Sequence, residues 1–304
     1  MPMKGGYKIN GIPIQGEEMT TGTVFFVDSS TGSDGNSGLD PLHPFATLDY
    51  ATNQCTANKH DIVYIMPNHA ETIASATTWA PDVAGVQYIG IGVGSDMPEL
   101  TFSATASQVA ITGASTTFKN IRFLAGISNV VAGVKANASH ITFDGCHWDF
   151  STTAYNFLWG LSADTADYLT VKNCRFLSEL DTTGALSGIR IDASDFAIVE
   201  GNYFSGEFNN AAIESATTEA ASTGIFISNN RIYNSDTAST YGGGIALRCA
   251  CTGMIASNMV GWMSGATYSA VPPIDPGSCM MFENYTAGIV DRYGVASLAG
   301  TAMS

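Results

Sequence analysis

The sequence predicts an all-β solenoid in which parallel strands stack coil upon coil. Three observations predict it: a six-residue phrase recurs, its spacing is nearly constant, and turn-forming residues are abundant, with 32 Gly among 304 residues. The last residues of successive phrases lie 25, 28, 28, 28 and 28 positions apart. A fixed period of this size is typical of repeated units that bury a core between neighbours. The phrase occurs at residues 118–123, 143–148, 171–176, 199–204, 227–232 and 255–260.

The first and last positions of the phrase predict strands that face this core. Both positions are apolar in every copy, and most are β-branched or aromatic, which suits a half-buried pleated surface. Each such side chain, when fully buried, contributes roughly 1.5–3 kcal/mol. The first positions are Phe118, Phe143, Val171, Val199, Ile227 and Ile255, and the last are Phe123, Trp148, Phe176, Phe204, Ile232 and Val260.

The third and fourth positions of the phrase predict a corner and an internal ladder. The third position is Asn, Gly or Ser, and since Gly and Asn tolerate positive φ, we expect the chain to bend sharply there. If the fourth position points inward, its amides can hydrogen-bond along the solenoid axis, while Cys fills the same slot as a small apolar group. The predicted ladder residues are Cys146, Cys174, Asn202, Asn230 and Asn258.

These columns resemble those of the right-handed parallel β-helix of the pectin-lyase-like proteins, with their asparagine ladders and aromatic stacks. Residues 24–48 and 61–73 resemble the opening coil of many secreted and phage-borne β-helix proteins. The resemblance implies a right-handed solenoid of the phage virion-associated type. It also implies that a short helix, predicted at 49–58, covers the first cross-section of the core. His69 and Glu71 are then a structural hydrogen-bond pair.

The chain divides into an N-terminal arm (1–22), a parallel β-helix (23–261), and a last coil with a C-terminal tail (262–304). The arm is too short and Gly-rich to hold a core, so we predict an attachment or oligomerisation segment. An alternative is a short hairpin folded on its own chain, with strands at 7–9 and 12–14 around an Asn-Gly turn. The candidate attachment residues are Lys4, Tyr7, Lys8, Ile12 and Ile14.

Composition limits the partners that the chain can have. Its 12 basic and 27 acidic residues give a net charge of −15, which argues against nucleic acid and anionic membrane surfaces as partners. The six Cys show no zinc spacing, so we expect buried free thiols made in a reducing compartment. No signal peptide and no stretch long enough to span a membrane are expected. We predict no cofactor.

One cluster of acids is a candidate catalytic site. Asp164 and Asp167 lie 28 residues before Asp192 and Asp195, so the two pairs should stack on adjacent coils. Stacked carboxylates raise one another's pKa and attract a proton or a cation. Glycosidases need two such acids roughly 5–9.5 Å apart. Aspartates in tight turns are the favoured explanation, and a cation site or catalysis are the alternatives.

Two further groups have a functional and a structural interpretation. Asp28, Asp34 and Asp40 lie in a Gly-rich loop and could chelate Ca²⁺, but their spacing is not that of an EF-hand, and a turn cluster is favoured. Four aromatic residues could form a sugar-stacking platform, although one of them, Trp148, occupies the apolar column of the phrase and is then core. The four are Trp148, Tyr155, Trp159 and Tyr203.

Two classes of function follow from these features. The first is a non-enzymatic bacteriophage virion surface protein, either a capsid decoration (cement) protein or a fibre-like knob. It would assemble in the host cytoplasm as a homotrimer, contact virion proteins such as the major capsid protein, and could bind a host surface glycan. The alternative is a polysaccharide-degrading tailspike, a glycoside hydrolase or a lyase, which would use the Asp164 and Asp192 region.

Overall fold

The protein is a right-handed parallel β-helix of about seven turns, as predicted from the sequence. The computed structural model describes residues 7–9, 12–14, 20–150, 155–178, 185–236, 243–262 and 272–288. Three parallel sheets form the walls of the solenoid, and each coil contributes one strand to each complete wall. No helix among the described residues is long and apolar enough to cross a membrane.

Sheet I contains the first half of each phrase. Its ten strands are β3 (Val24–Val27), β4 (Ile62–Ile65), β6 (Gln87–Gly90), β9 (Thr117–Lys119), β12 (Thr142–Asp144), β15 (Thr170–Lys172), β18 (Ile198–Glu200), β21 (Ile225–Ser228), β24 (Gly253–Ala256) and β27 (Met280–Phe282). The first positions of the phrase pair in register from Phe118 to Ile255. The period of the sequence is therefore the period of the coils.

Sheet II contains the second half of each phrase. Its nine strands are β5 (Ala70–Ile73), β7 (Glu99–Phe102), β10 (Arg122–Ala125), β13 (His147–Asp149), β16 (Arg175–Leu177), β19 (Tyr203–Gly206), β22 (Arg231–Asn234), β25 (Met259–Trp262) and β28 (Tyr285–Gly288). Between sheets I and II the chain turns at the third position of the phrase. All six residues there have positive φ, from 53° at Asn120 to 66° at Gly201, which confirms the predicted corner.

Sheet III is formed by the segments between the phrases. Its seven strands are β8 (Val109–Ile111), β11 (Val130–Ala136), β14 (Phe157–Asp164), β17 (Ser187–Asp192), β20 (Ile213–Ser215), β23 (Ile245–Leu247) and β26 (Ile274–Asp275). Strands β11 and β14 are the longest of this sheet. Their outer face carries the candidate functional site.

The core is a continuous stack of apolar side chains inside the solenoid. Phe123, Trp148, Phe176 and Phe204 stack along the axis with ring centroids 4.9, 4.6 and 4.7 Å apart. All four rings are fully buried. Offset or stacked aromatic pairs at these separations add about 0.5–1.5 kcal/mol each beyond area burial.

An α-helix, α1 (Leu48–Gln54), covers the first cross-section of this core. Its N-terminus is capped by Thr47 Oγ1, which accepts from the Tyr50 amide, and by Glu71, which accepts from the Leu48 amide at 3.0 Å. The helix is shorter than the predicted range of 49–58. It ends at Cys55 because that residue is extended and the next amide, that of Thr56, donates instead to Asp61.

The N-terminal segment contains a pair of short antiparallel strands, β1 (Tyr7–Ile9) and β2 (Ile12–Ile14), in the register Tyr7 to Ile14. These are the strand bounds of the hairpin alternative. Lys4 lies outside the described residues, and the attachment role of the arm stays a prediction. At the other end, β26, β27 and β28 form the last coil, and the tail from residue 289 lies outside the described residues.

Candidate functional site: a cleft on the outer face of sheet III

A cleft of about 170 Å³ lies on the outer face of sheet III, across β11, β14 and β17. It combines an aromatic ring, two basic groups and several acids. Its lining is mainly polar, and Val131, Ala132 and the Trp159 ring are its apolar part. The polar and aromatic residues that line it are Gln108, Lys135, Trp159, Ser162, Asp164, Arg190, Asp192 and Glu219.

Trp159 reaches the cleft because β14 departs from strict inward–outward alternation at this point. Leu161 is fully buried, and strict strand alternation would bury Trp159 with it. Gly160 also faces the interior, since a Cβ there would lie 3.0 Å from the Phe150 ring. On the next strand, the amides of Gly188 and Ile189 both donate to one carbonyl at 3.0 Å, the signature of a β-bulge.

A buried carboxylate accepts a hydrogen bond from the indole nitrogen of Trp159 and fixes the position of the ring. Glu214, only 1% exposed, accepts hydrogen bonds from Trp159 Nε1 at 2.9 Å and from Ser187 Oγ at 2.6 Å. It also accepts from Asn210 Nδ2 and Arg248 Nη2, both at 2.9 Å. A buried charge is tolerated when it is paired and hydrogen-bonded on all sides, and removal of one partner is costly. Glu214 therefore holds the ring in one position.

Arg190 covers one face of the indole. Its guanidinium carbon lies 4.6 Å from the Trp159 ring centroid, which is cation–π geometry. The same guanidinium pairs with Asp192 and, at 3.3 Å, with Glu219. Trp159, Arg190 and Asp192 thus form one connected group. Its ring, cation and anion are held in fixed relative positions.

The four candidate aspartates separate into two structural roles. Asp164 and Asp192 are register partners on β14 and β17, so they do stack on adjacent coils at the cleft. Asp167 accepts from the Asp195 amide at 2.9 Å, and Asp195 in turn accepts from the Thr223 amide at 2.7 Å. This second pair caps the turns of successive coils and takes no part in the cleft.

Within the first pair, the two carboxylates have different environments. Asp192 is buried, accepts from the Ala216 amide at 2.9 Å and pairs with Arg190. Burial raises the pKa of Asp192, and its hydrogen bonds and the positive charge of Arg190 offset this only in part. Asp164 is half-exposed, and its carboxylate makes no hydrogen bond or ion pair with the described residues. Of these two carboxylates, that of Asp164 is the one open to an incoming ligand.

The aspartates of the opening loop are turn residues in the structure. Asp28 accepts from the Ser30 amide, and Asp40 accepts from the Leu42 amide, both at 2.8 Å. Asp34 accepts from the amides of Ala46 and Thr47, which join the loop to the start of α1. Among the described residues, no group of three or more His, Cys, Asp and Glu side chains could hold a metal ion.

The predicted ladder positions lie inside the corner between sheets I and II. Asn202 Nδ2 donates to Asn230 Oδ1 at 3.0 Å, and Asn230 Nδ2 donates to Asn258 Oδ1 at 2.9 Å. The ladder continues to Asn284, which sequence reasoning missed because it follows after 26 residues instead of 28. The thiols of Cys146 and Cys174 fill the slots before it, and each donates to a backbone carbonyl.

Sequence reasoning missed a second ladder, at the corner between sheets III and I. The Ala166 amide donates to Ser194 Oγ and the Ser194 amide to Ser222 Oγ, both at 2.9 Å. The Ser222 amide then donates to Cys251 Sγ at 3.4 Å. The sequence does indicate this second ladder, through the same 28-residue spacing between small residues outside the phrase. This ladder fixes the turn that follows the cleft strands.

The four aromatic residues proposed as one platform do not lie together. Trp148 belongs to the core stack, and Trp159 lies in the cleft. Tyr203 is exposed on sheet II, where the Arg175 guanidinium lies 5.8 Å from its ring centroid. Tyr155 is exposed just before β14. A ligand in the cleft would therefore meet one aromatic ring, that of Trp159.

No protein-family model and no curated protein matches the sequence. The fold is similar to pectin methylesterase from Aspergillus niger, with a TM-score of 0.51 and 14% identity over 90% of this chain and 88% of that one. It is also similar to pectate lyase Pel9A, with a TM-score of 0.50 and 14% identity over 89% and 78%. At this identity the likeness shows the pectin-lyase-like fold alone. A further match, Geobacillus virus E2 ORF18, has a TM-score of 0.40 and carries no argument.

Proposed function

We propose that this chain is a non-enzymatic structural protein of a bacteriophage, displayed on the virion surface as a capsid decoration protein or a fibre-like knob. The observation that carries the non-enzymatic part is that the acids of the candidate cluster are already engaged. Asp192 is held by Arg190, and Asp167 and Asp195 cap backbone amides. A glycosidase needs two available carboxyl groups, and this cluster leaves only Asp164 without a partner.

The particle assignment rests on the resemblance of residues 24–48 and 61–73 to the opening coil of many secreted and phage-borne β-helix proteins. The thiols support it, since all six Cys are free and five of them are buried. Burial raises the pKa of Cys279 to about 12, which keeps this thiol protonated and unreactive. Such a chain suits assembly in a reducing host cytoplasm, as a homotrimer in contact with the major capsid protein.

The particle assignment is tested on virions purified through a density gradient from the cells that produce them. Quantitative mass spectrometry should find the chain in the particle band at a fixed ratio to the major capsid protein. Immunogold labelling should place it on the outer surface. Recovery of the chain only in the soluble fraction overturns the assignment.

The structure sharpens the test of the N-terminal arm. The Thr23 amide donates to buried Asp61, and the Thr20 hydroxyl donates to the His60 carbonyl, so a truncation that ends before residue 20 keeps both of these bonds. We expect removal of residues 1–19 to abolish attachment to arm-free particles and to leave the melting temperature unchanged. A Gly/Ser segment of equal length in place of 1–19 is the control for chain length. Loss of folding would mean that the arm is part of the core.

The polysaccharide-degrading alternative has one observation in its favour. The open carboxylate of Asp164 lines the same cleft as the fixed Trp159 ring and Arg190, and an aromatic ring beside charged groups suits a sugar unit. Incubation with capsular or algal polysaccharides, followed by chromatography of the products, separates the two functions. Turnover that is lost in both Asp164→Asn and Asp192→Asn overturns the non-enzymatic proposal. Binding without turnover supports a glycan contact on a displayed scaffold.

A further inference from the structure

The outer face of sheet I changes its chemistry along the solenoid. One outward column is polar in the middle coils, where it consists of Thr117, Thr142 and Thr170 in register. In the coils that follow, the same column is apolar and every member is exposed. These later members are Ile198, Phe226, Met254 and Met280.

Neighbouring positions widen this column into an apolar strip. Phe282, on the same strand as Met280, is 61% exposed, and Met280 itself is 66% exposed. Beside the start of β18, the exposed rings of Tyr168 and Phe196 stack 5.1 Å apart at positive φ. A bulky residue with positive φ is strained. We call the seven residues the C-terminal strip: Tyr168, Phe196, Ile198, Phe226, Met254, Met280 and Phe282.

The strip is uncharged, although the chain carries a net charge of −15. Strands β21, β24 and β27 contain no charged residue. In the second outward column of sheet I, charged residues occur only on strands that precede β21, and their signs alternate along the column. They are Lys119, Asp144, Lys172 and Glu200. Lys172 pairs with Asp144 at 3.5 Å. The columns of this face therefore sum to no net charge.

We propose that the C-terminal strip is a self-association surface, which packs against a second copy of this chain. Exposed contiguous apolar surface on a soluble protein marks an interaction site. Two chains of charge −15 repel wherever acidic surfaces meet, and the charge-balanced face of sheet I is one over which they approach without that cost. A basic partner would find no carboxylate on strands β21, β24 and β27, although it would meet Glu200 and Glu283 beside the strip.

The regular spacing of the strip also favours a second copy. Strands of one sheet lie about 4.8 Å apart, so the column from Ile198 to Met280 spans about 15 Å with one apolar side chain per coil. Another copy offers the same spacing, and its side chains can enter the gaps of the first. Methionine suits such a contact because its unbranched side chain adapts to the opposing surface. The surface does not depend on the particle assignment, and its test uses the isolated chain.

The test compares two double variants of the full-length chain by sedimentation velocity over a wide concentration range. Met254→Glu/Met280→Glu places two carboxylates in the apolar end of the column. Thr117→Glu/Thr142→Glu places two in the polar part of the same column and is the matched control. We expect the wild-type chain to self-associate, the first variant to weaken association at least 100-fold, and the control to change it less than threefold.

A second variant, Phe226→Ser/Phe282→Ser, removes apolar area without adding charge and should weaken association at least tenfold. The melting temperature of each variant, measured at a concentration where the chain is monomeric, reports on folding. A wild-type chain that stays monomeric at 100 μM overturns the proposal. So does association that the strip variants leave intact. A strip variant that unfolds the monomer while the control does not would show that these side chains stabilise the single chain, which also overturns it.

Discussion

The asparagine ladder offers the sharpest test of what holds the coils together, and Asn230 is its central member. Its Nδ2 donates to the Val199 carbonyl and to Asn258 Oδ1, both at 2.9 Å. Its Oδ1 accepts from the Asn202 amide at 2.9 Å and from Asn202 Nδ2 at 3.0 Å. The side chain is fully buried. Asn230→Ala removes all four bonds and leaves the backbone bond of residue 230 to Asn258 in place.

The cost follows from which groups lose their partners. Asn202 Nδ2 keeps the Val171 carbonyl, and Asn258 Oδ1 keeps the amide of residue 230. Two buried backbone groups are left without these bonds, the Asn202 amide and one lone pair of the Val199 carbonyl. An unsatisfied buried group costs about 1–3 kcal/mol, so the loss of two partners should lower the free energy of unfolding by about 2–6 kcal/mol.

Two measurements check this value. Chemical denaturation followed by circular dichroism gives the change in the free energy of unfolding, and hydrogen exchange gives the protection of the Asn202 amide. Asn173→Gly is the control: it also removes an amide side chain at this corner, but Asn173 has a φ of 55° and makes an exposed bond to Asp144. The control should stay within about 0.5 kcal/mol of wild type. If Asn230→Ala costs no more than the control, or the Asn202 amide stays protected, the ladder does not bind the coils.

Three further results are expected. Gly206→Ala should prevent folding, because a Cβ there would lie 1.6 Å from the Ser178 carbonyl oxygen. Gly145→Ala, where a Cβ would meet nothing, should lower stability by only about 1–2 kcal/mol because of its positive φ, and thermal melts compare the two. Burial raises the pKa of Asp192 above its ordinary value of 3.8, so its contribution to stability is present below that value and is lost as pH rises through the folded pKa. The stability of wild type relative to Asp192→Asn should therefore fall from about pH 3 to pH 7. A difference that stays constant with pH contradicts the assignment. Native Cys279 should resist iodoacetamide at pH 7.5 and react once the chain is unfolded; rapid native labelling at this residue would refute its burial.

The fold could be predicted from the sequence because every coil repeats the same arrangement of strands and corner. Apolar positions at the two ends of the phrase and a Gly or Asn corner between them are enough to set the register from Phe118 to Ile255. Where the spacing departs from 28, prediction weakened, as at Asn284. The helix was predicted too long because its end depends on Asp61, a residue beyond the helix that accepts from the Thr56 amide.

The cleft was predictable only in part. The 28-residue spacing of Asp164 and Asp192 correctly indicated neighbours on adjacent coils. It could not show that Arg190 and the Ala216 amide already engage one of them, since both contacts depend on side-chain orientation. The bond between Trp159 and Glu214 joins residues 55 positions apart, which is not one repeat. A strand bulge sets that contact, and only the pair Gly160 and Gly188, again 28 apart, could have indicated it.

Comparison of inward and outward columns separates stability from function in this molecule. Along sheet I the inward column stays apolar from Phe118 to Ile255, since every coil must fill the same core. The outward column of the same strands changes from Thr117 to Met280 with no corresponding change inside. Packing within the coil cannot cause that difference, because the inward neighbours have the same role throughout. We therefore attribute the difference to the surface that these coils meet, and the strip variants test that contact while their melting temperatures report on the fold.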